Sequence, residues 1–553
     1  MQRLILLLTI ILCIQFSLIA QTKVDLLLFN GTIYIVDSTM STAEAMVVNQ
    51  GKVLETGTNQ NIKQKYSATE IIDLHGKPVY PGFIDAHCHF YGYGLDLQYA
   101  DLKDTKSWDE VVARVSEHAK KHPTSWILGR GWDQNTWPVK EFPNRKMLDS
   151  LFPDRPVFLQ RIDGHAAIVN DVALKLAKMN EQTIISGGII EKKKINGKDW
   201  LTGTLVDNAV DSVKVKIPPP SREEQIAALM EAQQNCFAVG LTTVDDAGLK
   251  RKTLELIDSL QASPDIKNPL MMRIYGMVTS DDEDIEYYLK RGIYRTEKLN
   301  IHSIKFYADG ALGSRGACLL KPYSDKPEQQ GFLLHPEDYF KKMAKRISNS
   351  EFQMNTHCIG DSAVRFILHT YSEALKNQKD RRWRIEHAQV VSPEDFALFK
   401  KYRIIPSVQP THATSDMYWA ADRLGPERVK GAYAYHQLLE QNGMIPSGSD
   451  FPVEDINPLY GFYAAVVRQD KTGFPENGFQ IENKWSRAEA LKAMTIWAAY
   501  SNFEEKEKGS LEPGKFADFV ILESDIMKIP DDMLFSVRVV RTYVGGVKVY
   551  QKR

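Results

Sequence analysis

Charge of one sign is missing from this sequence: 69 Lys and Arg stand against 70 Asp and Glu in 553 residues, a formal balance of −1. Without such a field a chain does not collect nucleic acid or anionic lipid, so a polyelectrolyte partner is disfavoured and a small-molecule pocket fits better. Cysteine is scarce too, with five in the whole chain. Cys13 follows Leu12, where a lipid-attachment site would need a small residue. The other four, Cys88, Cys236, Cys318 and Cys358, permit disulfides in an exported protein, but a chain of this size does not need staples. Cys88 and Cys358 sit beside histidines in strand-like segments and read as buried thiols. No Gly/Ser-, Gln/Asn- or Pro-rich tract stands out, so long disordered regions are not expected. No glycine-rich loop has the context for phosphate binding. What remains is ordinary globular composition, 43% hydrophobic and 25% charged, long enough for a large core.

One apolar run stands apart. Met1, Gln2 and Arg3 precede Leu4 to Ile14, broken only by Thr9, and small Ala20 follows after a short gap. This reads as a secretory signal over residues 1 to 20, cleaved after Ala20, which makes the mature chain periplasmic or secreted. The run falls short of the ~20 apolar residues that span a bilayer, so no stable membrane span is expected.

The chain has two textures. Residues 24 to 80 and the last stretch, from Phe519 onward, are short β-like runs with Asn-Gly, Gln-Gly and Gly-Gly turns. Between them, apolar runs alternate with helix-length amphipathic segments: Phe83 to His89, Leu241 to Asp246, Met272 to Val278, Ser303 to Ala308, Gln353 to Cys358, Arg382 to Ala388, Ile404 to Gln409 and Ile445 to Asp450. Eight such runs predict an α/β fold with a closed (β/α)8 barrel, whose chemistry sits at the C-terminal ends of the strands. About 150 residues separate the first two runs, so a large insertion follows strand one.

The strand ends carry the chemistry. Spacing of i, i+2 puts His87 and His89 on one strand face and Cys88 on the other, giving a half-site for a borderline metal such as zinc. His357, His387 and Asp450 close the fifth, sixth and eighth strands. Lys305 ends the fourth. Burial there costs the ammonium its hydration and lowers its pKa, and a neutral amine takes up CO₂ to form a carbamate, an anionic oxygen ligand that can bridge two ions. The alternatives are an ion pair, with Asp309 as partner, and a Schiff-base lysine.

The segments PGFIDAHCHF, IKFYADGALGSRGA, NTHCIGD, RIEHAQ, PSGSDFPVE and GSLEPGKFADFVIL, taken in order, resemble the metal-dependent amidohydrolase superfamily, most of all its branch containing N-substituted formamide deformylases. The resemblance implies a barrel over residues 81 to 504 carrying a small β-sandwich from both chain ends, 21 to 80 and 505 to 553. It also implies one or two divalent metals, usually zinc. By position, His87 and His89 resemble ligands of the first metal, Lys305 the carboxylated bridge, His357 and His387 ligands of the second, and Asp450 the metal-bound general base. Homodimers are common among such proteins.

The ligand set implies hydrolysis of a non-peptide N-acyl or N-formyl amide C–N bond by metal-activated hydroxide, Asp450 taking the proton and passing it to the departing amine. The same centre acting on a cyclic amide, an ester or a ring amine is a second reading; an inactive metal-holding binding protein is a third. Substrate selection falls to the insertion, residues 91 to 235, where Trp132 reads as a pocket wall or as part of the insertion's own core, and His165 as a hydrogen-bonding group. Asp309 and Arg315, after the fourth strand, are further substrate-binding candidates; Arg315 would receive a carboxylate or clamp a loop. Glu504 to Lys508 read as a solvated helix end, and Ser221 as the cap of a helix beginning near Arg222.

Overall fold

The computed structural model describes residues 21–122, 124–262, 269–376, 378 and 380–552, and the expected signal segment 1–20 lies outside them. Seven parallel strands form the central sheet: β1 (Phe83–Cys88), β2 (Leu241–Leu249), β3 (Arg273–Val278), β4 (Leu299–Tyr307), β5 (Gln353–Cys358), β6 (Arg384–His387) and β7 (Ile405–Ser407). Each pairs in parallel with the next, as strands joined by helical crossovers must. The eighth run, Ile445 to Asp450, fills the closing position without forming a regular ladder. Gly448 N–H donates to Val408 O at 3.0 Å, and Asp450 N–H to His87 O at 2.7 Å. The ladder breaks because Ser449 N–H donates to the Asp85 carboxylate at 3.0 Å, with Ser449 Oγ adding a bond at 2.6 Å. Gly448 is the residue that fits there, since a Cβ would stand 2.4 Å from His87 N.

Two further sheets bury a common cluster that includes Leu26, Met46, Val79, Phe519 and Tyr543. One is built from Thr22–Phe29, Ala45–Asn49, Lys52–Gly57 and Tyr66–Asp73; the other interleaves Thr32–Tyr34, Thr42–Ala43 and Pro78–Pro81 with Phe519–Leu522, Val539–Val544 and Val547–Gln551. Both chain ends thus complete one sheet, and it is tied to the barrel by the buried pair Arg273 and Asp518 at 2.6 Å.

The insertion carries a six-stranded sheet of its own, from Ala100–Asp101 to Lys198–Asp207, with apolar clusters around Trp132 and Leu205. It ends earlier than residue 235. The helix Arg222–Ala238, started by a Ser221 and Glu224 capping box, packs Leu229, Ala232, Cys236 and Phe237 into the barrel's core. The segment expected to be a solvated helix end also differs: Glu504 and Lys508 are buried and paired at 2.7 Å. The four cysteines at 88, 236, 318 and 358 are free thiols, buried except for the half-buried Cys318. Among the described residues no helix is long and apolar enough to cross a membrane.

Candidate metal centre

Side-chain alternation turns Asp85, His87 and His89 to the same side of β1. Asp85 is consumed in holding the eighth segment, but His87 reaches the centre. Its Nδ1 lies 2.6 Å from Glu386 Oε2, which leaves Nε2 facing Lys305 Nζ at 3.1 Å and Asp450 Oδ1 at 3.6 Å. His89 Nε2 stands 3.3 Å from the same Asp450 oxygen, and its side chain, 30% exposed, marks the open side.

On β6, alternation would separate Glu386 from His387. Both converge on the site because His387 and Ala388 adopt left-handed backbones, φ 73° and 43°, and the chain turns as the strand ends. His387 Nδ1 is engaged with Gln409 Oε1 at 2.7 Å, so its Nε2 also faces the cluster. Its ring centroid lies 4.7 Å from that of His87 and 4.6 Å from that of His357. His357 is buried, with Nε2 3.5 Å from Gly310 O.

Asp450, again left-handed at φ 61°, joins these groups. Its Oδ1 is buried with no hydrogen-bond partner among the described residues, while Oδ2 lies 3.6 Å from His412 Nε2. Ligand atoms of His87, His89 and Asp450 fall within 4.8 Å of one another, and so do those of His387, His412 and Asp450.

Burial favours neutral rings, holding His87 down to about 4 and His357 and His387 well below the ordinary imidazole value. Burial opposes ionisation of Asp450, yet the imidazoles of His412 and His89 beside it hold its carboxyl well below the usual range. Neutral imidazoles and an ionised carboxylate are the protonation states a divalent cation needs. Nitrogen donors fixed through their second ring nitrogen, with a carboxylate oxygen left unpaired beside them, fit such an ion.

Under the centre runs a buried polar column. Glu386 Oε1 is 2.9 Å from Arg384 Nε, and Arg384 Nη1 is 3.1 Å from Asp245 Oδ2, all fully buried. Despite burial, Arg384 and His87 hold Glu386 far below the ordinary carboxylate value. Burial itself lowers the Lys305 ammonium to about 8. Lys305 faces His87, and Asp309 is not its partner.

Of the expected substrate contacts, Trp132 and Arg315 lie elsewhere, and Asp309 borders the centre with Oδ1 3.8 Å from His357 Nε2. Trp132 is fully buried in the insertion's core, its Nε1 donating to Leu159 O at 2.9 Å, because an indole needs apolar cover and one acceptor and finds both there. Asp309 is fully buried and accepts backbone N–H bonds from Cys318 and Gly360 at 2.8 Å and Ile359 at 3.0 Å, which fastens the β4 and β5 loops together. Arg315 pairs with Asp325 at 2.7 Å and is a loop clamp. Trp132→Ala is therefore expected to cost about 3–5 kcal/mol of stability, read as a lower denaturation midpoint, with kcat/KM of the folded fraction unchanged. His165, by contrast, reaches the centre, its ring centroid 4.9 Å from that of His357.

His412 was not among the residues expected. It stands on the short helix Pro410–Asp416 just past β7, Nδ1 2.9 Å from Glu454 Oε1. Against its burial, the carboxylates of Asp450 and Glu454 on either side push it up to about 10. Its one sequence signal is position, three residues beyond Gln409 at the end of a barrel strand.

Comparison with known proteins agrees with this geometry. The model of a family described as "Amidohydrolase family" matches residues 70–550. The Arabidopsis thaliana protein LONG AFTER FAR-RED 3 is 34% identical over 95% of this chain and 91% of its own. The N-substituted formamide deformylase of Arthrobacter pascens is 26% identical over 96% of this chain and 98% of its own. A crystal structure of an uncharacterized metal-dependent hydrolase from Pyrococcus horikoshii superposes with a TM-score of 0.73 at 27% identity, covering 92% of this chain and 99% of that one. The chain belongs to the amidohydrolase family and is a metal-dependent hydrolase.

Proposed function

We propose that this enzyme is an exported hydrolase of N-formyl or N-acyl amides, with Asp450 as general base. The observation that carries the reading is the Asp450 carboxylate: Oδ1 lies unpaired among the ligand nitrogens and Oδ2 faces His412, so one side chain can take a proton inside the cluster. The amide class is supported by the name of the Arthrobacter relative, and export by residues 1 to 20.

His87, His89, His387 and Asp450 would hold the ion, with His357 at the edge of the set; His412, pushed up to about 10 between Asp450 and Glu454, is the cation that faces Asp450 Oδ2. The donor types suit zinc. When bound, such an ion lowers the pKa of water and polarises a carbonyl. Asp450 takes the proton of the attacking water and returns it to the departing nitrogen. Glu386 and Gln409 hold the tautomers of His87 and His387 throughout. A Lys305 amine brought down to about 8 is neutral in a useful fraction near neutral pH, and its carbamate would add an oxygen donor.

The test is turnover of formanilide, acetanilide, a cyclic imide, 4-nitrophenyl acetate and a ring amine by the zinc-loaded mature chain. The expected result is a kcat/KM for the open-chain amides well above the others. Turnover confined to the cyclic imide, the ester or the ring amine, or tight binding with no turnover, would overturn the reading.

A further inference from the structure

A second buried histidine–carboxylate pair reaches the centre from the insertion. His165 lies in the turn between the strands Val157–Arg161 and Ala166–Val169. Its ring ends a run of neighbouring imidazoles: His412 to His387 at 6.1 Å, His387 to His357 at 4.6 Å, and His357 to His165 at 4.9 Å. At the other end of the run, His412 Nε2 faces Asp450. His165 Nδ1 is engaged with Asp207 Oδ1 at 2.8 Å, and Nε2 makes no hydrogen bond among the described residues. The side chain is 16% exposed, so it is open to a small ligand.

The pairing is costly. Asp207 has φ 52° and ψ −127°, a region that suits glycine. Its carboxylate is fully buried, and Oδ2 has no hydrogen-bond partner among the described residues. The β4 loop is shaped to admit it: a Cβ at Gly310 would stand 2.5 Å from its carboxylate oxygens, and one at Gly316 would stand 2.2 Å away. The strained backbone at Asp207 and its buried carboxylate accompany the contact to His165 Nδ1. Both serve to set one imidazole beside the ligand residues.

We propose that His165 Nε2 hydrogen-bonds the scissile amide group of the substrate, and that Asp207 is its positioning residue. With Nδ1 committed to Asp207, Nε2 is the ring nitrogen left for a ligand, and it lies where an amide presented to the cluster would extend toward the insertion. This rests on the amide-hydrolase reading above and names the group through which the insertion grips that substrate.

The test uses the zinc-loaded mature chain, formanilide turnover and equilibrium binding of acetohydroxamate. His165→Gly should keep wild-type zinc content, lose about 10²-fold in kcat/KM, and recover part of it when imidazole is added. Acetohydroxamate should bind it about tenfold more weakly, with Asp207→Asn falling between it and the wild type. If the Gly variant does not fold, His165→Gln, which keeps a hydrogen-bonding side chain, carries the same comparison. Wild-type kinetics and hydroxamate affinity, zinc lost in step with activity, or no rescue by imidazole would each overturn the assignment. If the wild type cleaves no amide yet His165→Gly still binds hydroxamate tenfold more weakly, the substrate reading falls and the His165 contact stands.

Discussion

Asp450→Asn is expected to lower kcat by about 10³-fold or more on any substrate the enzyme turns over, with the fold retained and zinc still bound at saturating metal. Asparagine keeps the shape and one oxygen, so the main-chain bond from Asp450 N–H to His87 O at 2.7 Å and the packing around it survive. What it removes is the negative charge and the ability to take a proton. Three imidazoles face this carboxylate, two of them within 3.6 Å of Oδ1 and a third at 3.6 Å from Oδ2. Steady-state kinetics on protein of measured zinc content checks the expectation. Activity within tenfold of wild type at equal zinc would show that proton transfer belongs to another residue.

Arg384→Met should destabilise the protein by about 3–5 kcal/mol, because it strands two buried carboxylates. Arg384 is fully buried and donates to Asp245 Oδ2 at 3.1 Å and Ser501 Oγ at 3.0 Å, while its Nε faces Glu386 Oε1 at 2.9 Å. Burial already pushes Asp245 up to about 7 with the guanidinium present. Without it, Asp245 and Glu386 must either stay charged in an apolar setting or take up protons, and both routes cost stability. Methionine replaces the aliphatic stem but offers no donor. The same substitution loosens Glu386, which holds Nδ1 of His87, so zinc affinity should fall about 10–100-fold. Denaturant unfolding and competitive chelation read the two effects. Glu386→Gln separates them, since it keeps a bond to Arg384 but weakens the acceptor for His87; its loss should show mainly in zinc affinity. An unfolding midpoint unchanged in Arg384→Met would contradict the buried-column account.

Residues whose place follows from strand alternation are legible in the sequence. His87 and His89 share a face because i and i+2 must in a strand, and the apolar runs marked seven barrel strands to within a few residues at their ends. The capping box at Ser221 was equally local. Residues whose place depends on a turn were not readable. Glu386 and His387 meet only because the backbone turns left-handed at His387, and His412 comes from a helix after β7, where no periodicity points inward. The eighth strand was readable as a run but not as an irregular segment, because its hydrogen bonds go to the Asp85 side chain. Trp132 shows the limit of residue type as a guide: an indole suits a pocket wall and a core alike, and its bond to Leu159 O decides for the core. Asp207 carried no sequence signal at all, since its role arises from a strained backbone and two glycines about a hundred residues later in the chain.

The central claim is that this cluster of histidines and Asp450 performs hydrolysis with a bound divalent ion. Its most direct test is formanilide hydrolysis by one preparation of the protein, measured as purified, after removal of metal by chelation, and after titration with zinc. The account predicts loss of activity to background on removal and recovery in proportion to zinc bound, up to one or two ions per chain. Activity that survives complete removal of metal would contradict it.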